Sequence, residues 1–251
     1  MIKEFEQSHQ HALKTLNMLY DHDDFMESIK LVADMGAGRG YDAEWWATRT
    51  TRDEEKPTPL NIKVQAVDNL QMQTNRISNK NISWLTEDFS KTSIKPNSID
   101  LLWCFNSFQY AKNPLATLAH WHSIMKEDAM LCLTVPYELA TYEVRDEPRI
   151  SAIMHPGCYF NYTPINLIML LASSGFDCRG GHFKFVAGEP WIHCAVYKTD
   201  NPPQEYLNWT DLLGKKLLPI SIEKIVAEGP VTDKDLLVEW VDHSVYNLAI
   251  Q

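Results

Sequence analysis

The chain is poor in positive charge: 23 Lys and Arg stand against 33 Asp and Glu, a formal net charge of -10. Affinity for a phosphate backbone comes from Lys and Arg displacing counterions, so this balance argues against nucleic acid as the main partner and favours a small or neutral one. No stretch is long and apolar enough to span a bilayer. The first ten residues are polar and carry acids, unlike the basic start and apolar run of a signal peptide. Cys104, Cys132, Cys158, Cys178 and Cys194 include no C-x-x-C pair, and four of them lie in or beside apolar runs where a reduced, buried thiol is usual. A cytoplasmic chain without zinc is expected. His9 with His11 and His120 with His122 are two apart, which on a helix turns them to different faces and makes a chelate of neither pair. There is no internal repeat and no low-complexity tract.

What the chain does have is enough apolar content, 45% over 251 residues, to bury one good core. A helical opening places Leu13, Leu16, Leu19 and Tyr20 on one face, either over a ligand or against a sheet. Strands are expected at 29–34, 62–67, 82–85, 99–105 and 130–135. The fourth is nearly all apolar, as a central parallel strand should be. Helices are expected over 41–48, after Asn113-Pro114 along Leu115, Leu118, Trp121 and Met125, and after Thr163-Pro164 as far as Gly175. Residues 183–186 and 191–197 read as a closing hairpin. The pattern predicts an α/β domain over 1–200 with a mostly parallel sheet and an antiparallel edge, then a prolyl linker at Asn201-Pro202-Pro203-Gln204. Residues 201–251 form a C-terminal extension of helical character, a lid, a packing element or an oligomer surface.

The most informative stretch is Leu31-Val32-Ala33-Asp34-Met35-Gly36-Ala37-Gly38-Arg39-Gly40-Tyr41, a buried strand running straight into alternate glycines. Bare backbone at the mouth of the following helix lets a nucleoside-containing ligand approach closely. A dinucleotide fingerprint, G-x-G-x-x-G, would need a third glycine where Tyr41 stands, so NAD ranks last among such ligands. In a sheet of this kind the ligand lies across the carboxyl ends of the strands. Asp68, with Asn69 beside it, follows the second strand and is placed for two ribose hydroxyls. Asp88 follows the third.

The D-x-G-x-G-x-G pattern resembles the first motif of the class I S-adenosylmethionine-dependent methyltransferases. The segment Asn97-Ser98-Ile99-Asp100-Leu101-Leu102-Trp103 is similar to that family's D-x-S-F-D-x-V pattern, and the likeness covers roughly 30–136 with Asp34, Asp68, Asp88 and Asp100 in order. It implies a doubly wound, seven-stranded Rossmann-like sheet and S-adenosylmethionine as cofactor, with S-adenosylhomocysteine as product. Gly36, Gly38 and Gly40 would lie at the methionine end and Asp68 on the ribose. Asp88 would accept from the adenine amino group, with Leu70 and Phe89 as apolar cover. Asp34 and Phe105 complete the implied cofactor set. Two departures are Met125-Lys126-Glu127-Asp128-Ala129 in place of L-K-P-G-G, and Arg39 where a small or polar residue is usual.

Downstream, His155 to Gly175 resembles the H-x-x-x-F-T/S-P-x-x-L…G-F stretch of small-molecule methyltransferases related to ubiquinone-pathway enzymes, which implies an acceptor region. His155 is a candidate general base, or a cap or pocket lining, because its ordinary pKa lies near working pH. Tyr137, Glu138, Tyr159 and Trp191 are candidate pocket walls or proton acceptors. Methyl transfer from a sulfonium is an in-line displacement in which alignment supplies much of the rate, so a base is optional. The expected activity is methylation of a small-molecule O or N acceptor. The alternatives are a cofactor-binding regulatory or structural protein that methylates nothing, and a protein or RNA methyltransferase. Asn201-Pro202-Pro203-Gln204 lacks the aromatic of a DNA amino-methyltransferase motif and stands after the closing strand, and no Pro-Cys pair supports a cytosine-C5 mechanism.

Overall fold

A computed structural model describes residues 9, 12–13, 16–17, 23–53, 55–69, 75–136, 158–185, 191–204 and 208–219. Its elements are α1 (Asp23–Ser28), β1 (Leu31–Met35), α2 (Tyr41–Ala47), β2 (Lys63–Val67), β3 (Ile82–Leu85) and β4 (Ile99–Phe105), then a 3-10 turn (Phe108–Tyr110). They continue with α3 (Pro114–Ile124), β5 (Met125–Pro136), α4 (Pro164–Ser173), β6 (Phe176–Phe185), β7 (Trp191–Lys198) and α5 (Trp209–Lys215).

The strands form one sheet in the order β3-β2-β1-β4-β5-β7-β6. The first five are parallel, and β7 runs antiparallel to both β5 and β6. This is the mostly parallel, doubly wound sheet with an antiparallel edge that the element order predicts. Strand periodicity decides which face each side chain covers. Along β4, Leu101, Trp103 and Phe105 enter a layer with Val32, Ala43 and Trp46, while Leu102 and Cys104 enter the opposite layer with Trp121, Leu133 and Leu171. Because the order reverses between β1 and β4, the carboxyl ends of those two strands form the switch point at which sheets of this kind bind ligands.

Caps set the helix starts. The Asn113 side chain accepts from the Ala116 N–H at 3.1 Å with Pro114 in the first turn. Thr163 and Asn166 form a reciprocal capping box on α4. Thr163→Ala removes one half of that box and is expected to cost about 1 kcal/mol, a fall of roughly 2–4 °C in thermal unfolding of the whole chain.

Three expectations are corrected. Helix α3 stops at Ile124, because the wholly buried Met125 turns extended and pairs with Ile99 at the head of β4. The expected surface turn at 125–129 is therefore the start of a long β5, with Asp128 at φ 57° and a register shift opposite 99–101. The edge hairpin also begins earlier than 183: β6 opens at Phe176, and Asp177 Oδ1 accepts from the N–H groups of Arg179 and Gly180, making a bulge before pairing with β7 resumes at His182.

The segment 201–204 folds back on α4, with the Gln204 N–H donating to the Ser173 carbonyl at 2.8 Å. Leu212, Leu217 and Leu218 are buried in the same layer as Leu171. Leu16 of the helical opening is buried against the other layer, and Leu13 packs beside it, while Leu19 and Tyr20 lie outside the described residues. Among the described residues no helix is long and apolar enough to cross a membrane.

Candidate functional site

Strand β1 ends in a turn that climbs over the end of β2: the N–H groups of Gly36 and Ala37 both donate to the Val67 carbonyl, at 2.9 and 3.0 Å. The turn then closes on itself from the Gly40 N–H to the Ala37 carbonyl at 2.8 Å, and α2 begins. Gly36 has φ 77°, and a Cβ there would lie 2.2 Å from Ser107 Oγ, so the β1 and β4 loops touch at the switch point only because the side chain is absent. Ser107 Oγ donates back to the Gly36 carbonyl at 3.2 Å.

Three carboxylates gather around this turn. Asp68, only 6% exposed, accepts from the Gly38 N–H at 2.8 Å. Asp42, in the first turn of α2, accepts from Trp103 Nε1–H at 2.9 Å and contacts His9 Nδ1 through its other oxygen. Asp34 is 2% exposed, and its Oδ2 meets no hydrogen-bond donor among the described residues. Burial, first, and then the charges of Asp42 and Asp68 push the Asp34 carboxyl well above the ordinary carboxylate range, against a lowering hydrogen bond from the Ala43 backbone.

These residues open on a shallow cleft. Asp34, Gly36, Ala37 and Gly38 form one wall, Phe105 another, and Arg39, Tyr41, Asp42 and His9 the rim. A buried carboxyl with an unmet oxygen, held above its usual pKa by two neighbours of like charge, is a site for a cation. The Arg39 guanidinium, on a residue lining the same cleft, supplies the complement for an anionic group on the same ligand. The donor set thus fits an amino acid bearing further positive charge, and a sulfonium amino acid has that character.

Among the residues expected from the sequence, Asp34, Gly36, Gly38 and Phe105 line one cleft, and Asp68 joins it through Gly38. Gly40 backs the turn from behind, where a Cβ would meet Trp84. Asn69 is exposed at the end of β2. Asp88 and Phe89 stand past the end of β3, outside the cleft lining: Asp88 is exposed and accepts from the Ser90 N–H at 2.8 Å, while the Phe89 carbonyl accepts from Trp121 Nε1–H at 2.8 Å. His155, Tyr137, Glu138 and Leu70 lie outside the described residues. Tyr159 is exposed, its N–H donating to the Gln109 carbonyl at 2.9 Å beyond the end of β4, and Trp191 pairs with Pro136 at the end of β5.

Asp42 and Tyr41 were legible in part, as the residues immediately after the glycines. His9 was not, because only the tertiary fold brings it 33 residues back onto Asp42. Asp100 turns out to serve the sheet: its Oδ2 accepts from the N–H groups of Lys30 and Leu31 at the entry to β1. The helix histidines part company as expected, His120 Nε2 accepting from the Thr92 N–H and His122 Nε2 donating to the Thr199 carbonyl.

Residues 33–133 match the family model of a methyltransferase domain. No curated protein matches the chain by sequence. Among solved structures, a chain of the complex between the Haloferax volcanii Trm112 methyltransferase activator and a methyltransferase aligns with a TM-score of 0.58 at 16% identity, over 78% of this chain and 93% of that one. A Listeria monocytogenes protein described as an S-adenosylmethionine-dependent methyltransferase aligns at 0.55 and 16% identity, over 78% of this chain and 100% of its own. Burkholderia thailandensis 1,6-didemethyltoxoflavin-N1-methyltransferase, solved with 1,6-didemethyltoxoflavin and S-adenosylhomocysteine, aligns at 0.52 and 18% identity, over 74% of this chain and 76% of its own.

Proposed function

We propose that this chain, whose residues 33–133 match the family model of a methyltransferase domain, is a class I methyltransferase that transfers the methyl group of S-adenosylmethionine to an O or N atom of a small molecule. The observation that carries the cofactor assignment is the acid-lined turn: the unmet oxygen of buried Asp34, flanked by Asp42 and Asp68, beneath bare glycine backbone.

Bound S-adenosylmethionine supplies an electrophilic methyl on a sulfonium. Asp34 and Asp42 would hold the ammonium and Arg39 the carboxylate of its amino-acid end. Asp68 would accept from ribose hydroxyls, and Asp88, past the end of β3, would accept from the adenine amino group. Phe105 gives the sulfonium an apolar wall that excludes water, so that alignment of the acceptor with methyl and sulfur carries the rate. His155 and Tyr137 remain the proposed proton acceptors for the acceptor atom.

Two observations support a small, flat acceptor over a polynucleotide. The net charge of -10 repels phosphate. Tyr159 and Phe160 are exposed, at 55% and 38%, and both backbone N–H groups point to the Gln109 carbonyl just past β4, which puts two aromatic rings at the carboxyl edge of the sheet.

Calorimetric titration tests the cofactor assignment. S-adenosylmethionine and S-adenosylhomocysteine are expected to bind and NAD not to. Asp68→Ala is expected to weaken both about 10- to 100-fold through lost charge-assisted hydrogen bonds, and Asp88→Ala about 3- to 10-fold, as for a single bond at an exposed site. Failure of both sulfur nucleosides to bind the wild type would remove the assignment.

A further inference from the structure

Trp84 stands on β3, two strands away from the glycine turn, yet the turn rests on it. A Cβ on Gly40 would lie 2.7 Å from Cζ2 and 2.9 Å from Cη2 of the indole, and Gly40 has φ 91°, so glycine is required here by Trp84 and by backbone conformation together. The indole Nε1–H donates to the Ile77 carbonyl at 3.1 Å, and the Ile77 N–H donates to the Arg39 carbonyl at 3.0 Å, inside the turn. Over the same ring, at 4.7 Å from its centroid, lies the Arg76 guanidinium. Arg76 donates to Thr86 Oγ1 at 3.0 Å and to the main-chain carbonyl of Asp68 at 3.4 Å.

One indole therefore joins the glycine turn to the ends of β2 and β3. Its two arms reach different parts of the cleft. The first passes through Gly40, Ile77 and Arg39 to the turn, and the second through Arg76 to the backbone of Asp68. We infer that Trp84 is a positioning residue for the amino-acid end of the cofactor and Arg76 a positioning residue for its nucleoside end. Neither belongs to the cleft lining. The inference rests on the reading above, in which the turn takes the amino-acid end and Asp68 the ribose.

The same packing would have a purely structural value, so the test compares two ligands that share a nucleoside. S-adenosylhomocysteine reaches the turn, whereas 5′-methylthioadenosine lacks the amino-acid end. Trp84→Phe keeps an aromatic ring but removes the N–H donor. It is expected to weaken S-adenosylhomocysteine about tenfold and methylthioadenosine less than about threefold, as loss of one partly buried hydrogen bond and of the indole edge against Gly40 at one end of the site dictates. Arg76→Met, at a partly exposed position, is expected to weaken both ligands alike, by about three- to fivefold. Thermal unfolding of each variant reports whether it is folded.

Wild-type affinity for both ligands in both variants overturns the inference. So does an equal loss of both ligands in Trp84→Phe, which would be general softening of the domain. If Trp84→Phe does not fold, Arg76→Met still decides: unchanged affinity, or a parallel loss with a lowered melting temperature, overturns the inference, and a parallel loss at an unchanged melting temperature supports it. A wild type that binds no S-adenosylhomocysteine is a different failure, since it removes the methyltransferase reading and this inference with it.

Discussion

Asp34→Asn is expected to raise the melting temperature of the ligand-free protein while lowering its affinity for S-adenosylmethionine by about 100-fold or more. Both effects have one cause. Asp34 is buried beside two carboxylates, with one oxygen meeting no donor among the described residues, so ionising it in the folded protein is costly. An amide keeps an oxygen for the Ala43 N–H, carries no charge, and offers an N–H toward the neighbouring acids. Relief of about 1–2 kcal/mol corresponds to a rise of roughly 2–6 °C for a chain of this length. The cofactor loses the buried partner of its ammonium, hence the affinity change. A variant that binds like the wild type would show that Asp34 is not part of the cation site. Scanning fluorimetry and calorimetric titration on the same sample measure the two halves.

The pH dependence follows with a definite sign. Asp34 has a folded pKa above its unfolded value of about 3.8, so over the interval between them the folded state holds a proton that the unfolded chain has released. Its contribution to stability is fully present below that interval and is lost as pH rises through the folded pKa. Affinity for a cationic ligand moves the other way, rising by up to about tenfold per pH unit while Asp34 is still protonated, and binding then releases a proton. Titrations in two buffers of different ionisation enthalpy detect that proton, and Asp34→Asn removes it.

Gly36→Ala is expected to destabilise the fold by about 3–5 kcal/mol, the sum of a left-handed backbone cost and an overpacking cost. The added methyl would sit 2.2 Å from Ser107 Oγ and 2.3 Å from Ser107 Cβ, on the loop that leaves β4, and the backbone at φ 77° disfavours any Cβ. Neither loop can retreat easily, since Gly36 is tied to Val67 and Ser107 to the carbonyls of Gly36 and Phe105. Ser107→Gly in the same chain should restore the overpacking part and leave the backbone part. Denaturant unfolding of the two single variants and the double variant separates them; full additivity would mean that the two loops do not meet as described.

The succession of strands and helices along the chain and the class of ligand were legible in the residues alone. The nearly all-apolar run of 99–105, and the run from Leu31 into alternate glycines, are local patterns of hydrophobicity and of bare backbone, and local physics suffices to read them. Asn113-Pro114 and Thr163-Pro164 likewise announced their helices through short-range hydrogen bonds. Boundaries were less legible where a long-range partner decided them: Met125 left its helix to pair with Ile99, and Phe176 opened β6 by pairing with Lys198. What only the tertiary structure decided is the electrostatic character of the cleft and its support. Asp34, Asp42 and Asp68 come together because the β1 turn climbs over β2, His9 arrives from the helical opening, and Trp84 braces the turn across two strands. Asp68 stands 30 positions from Gly38 and His9 33 positions from Asp42, and a sequence pattern carries no signal for pairs that only the packed sheet brings within reach.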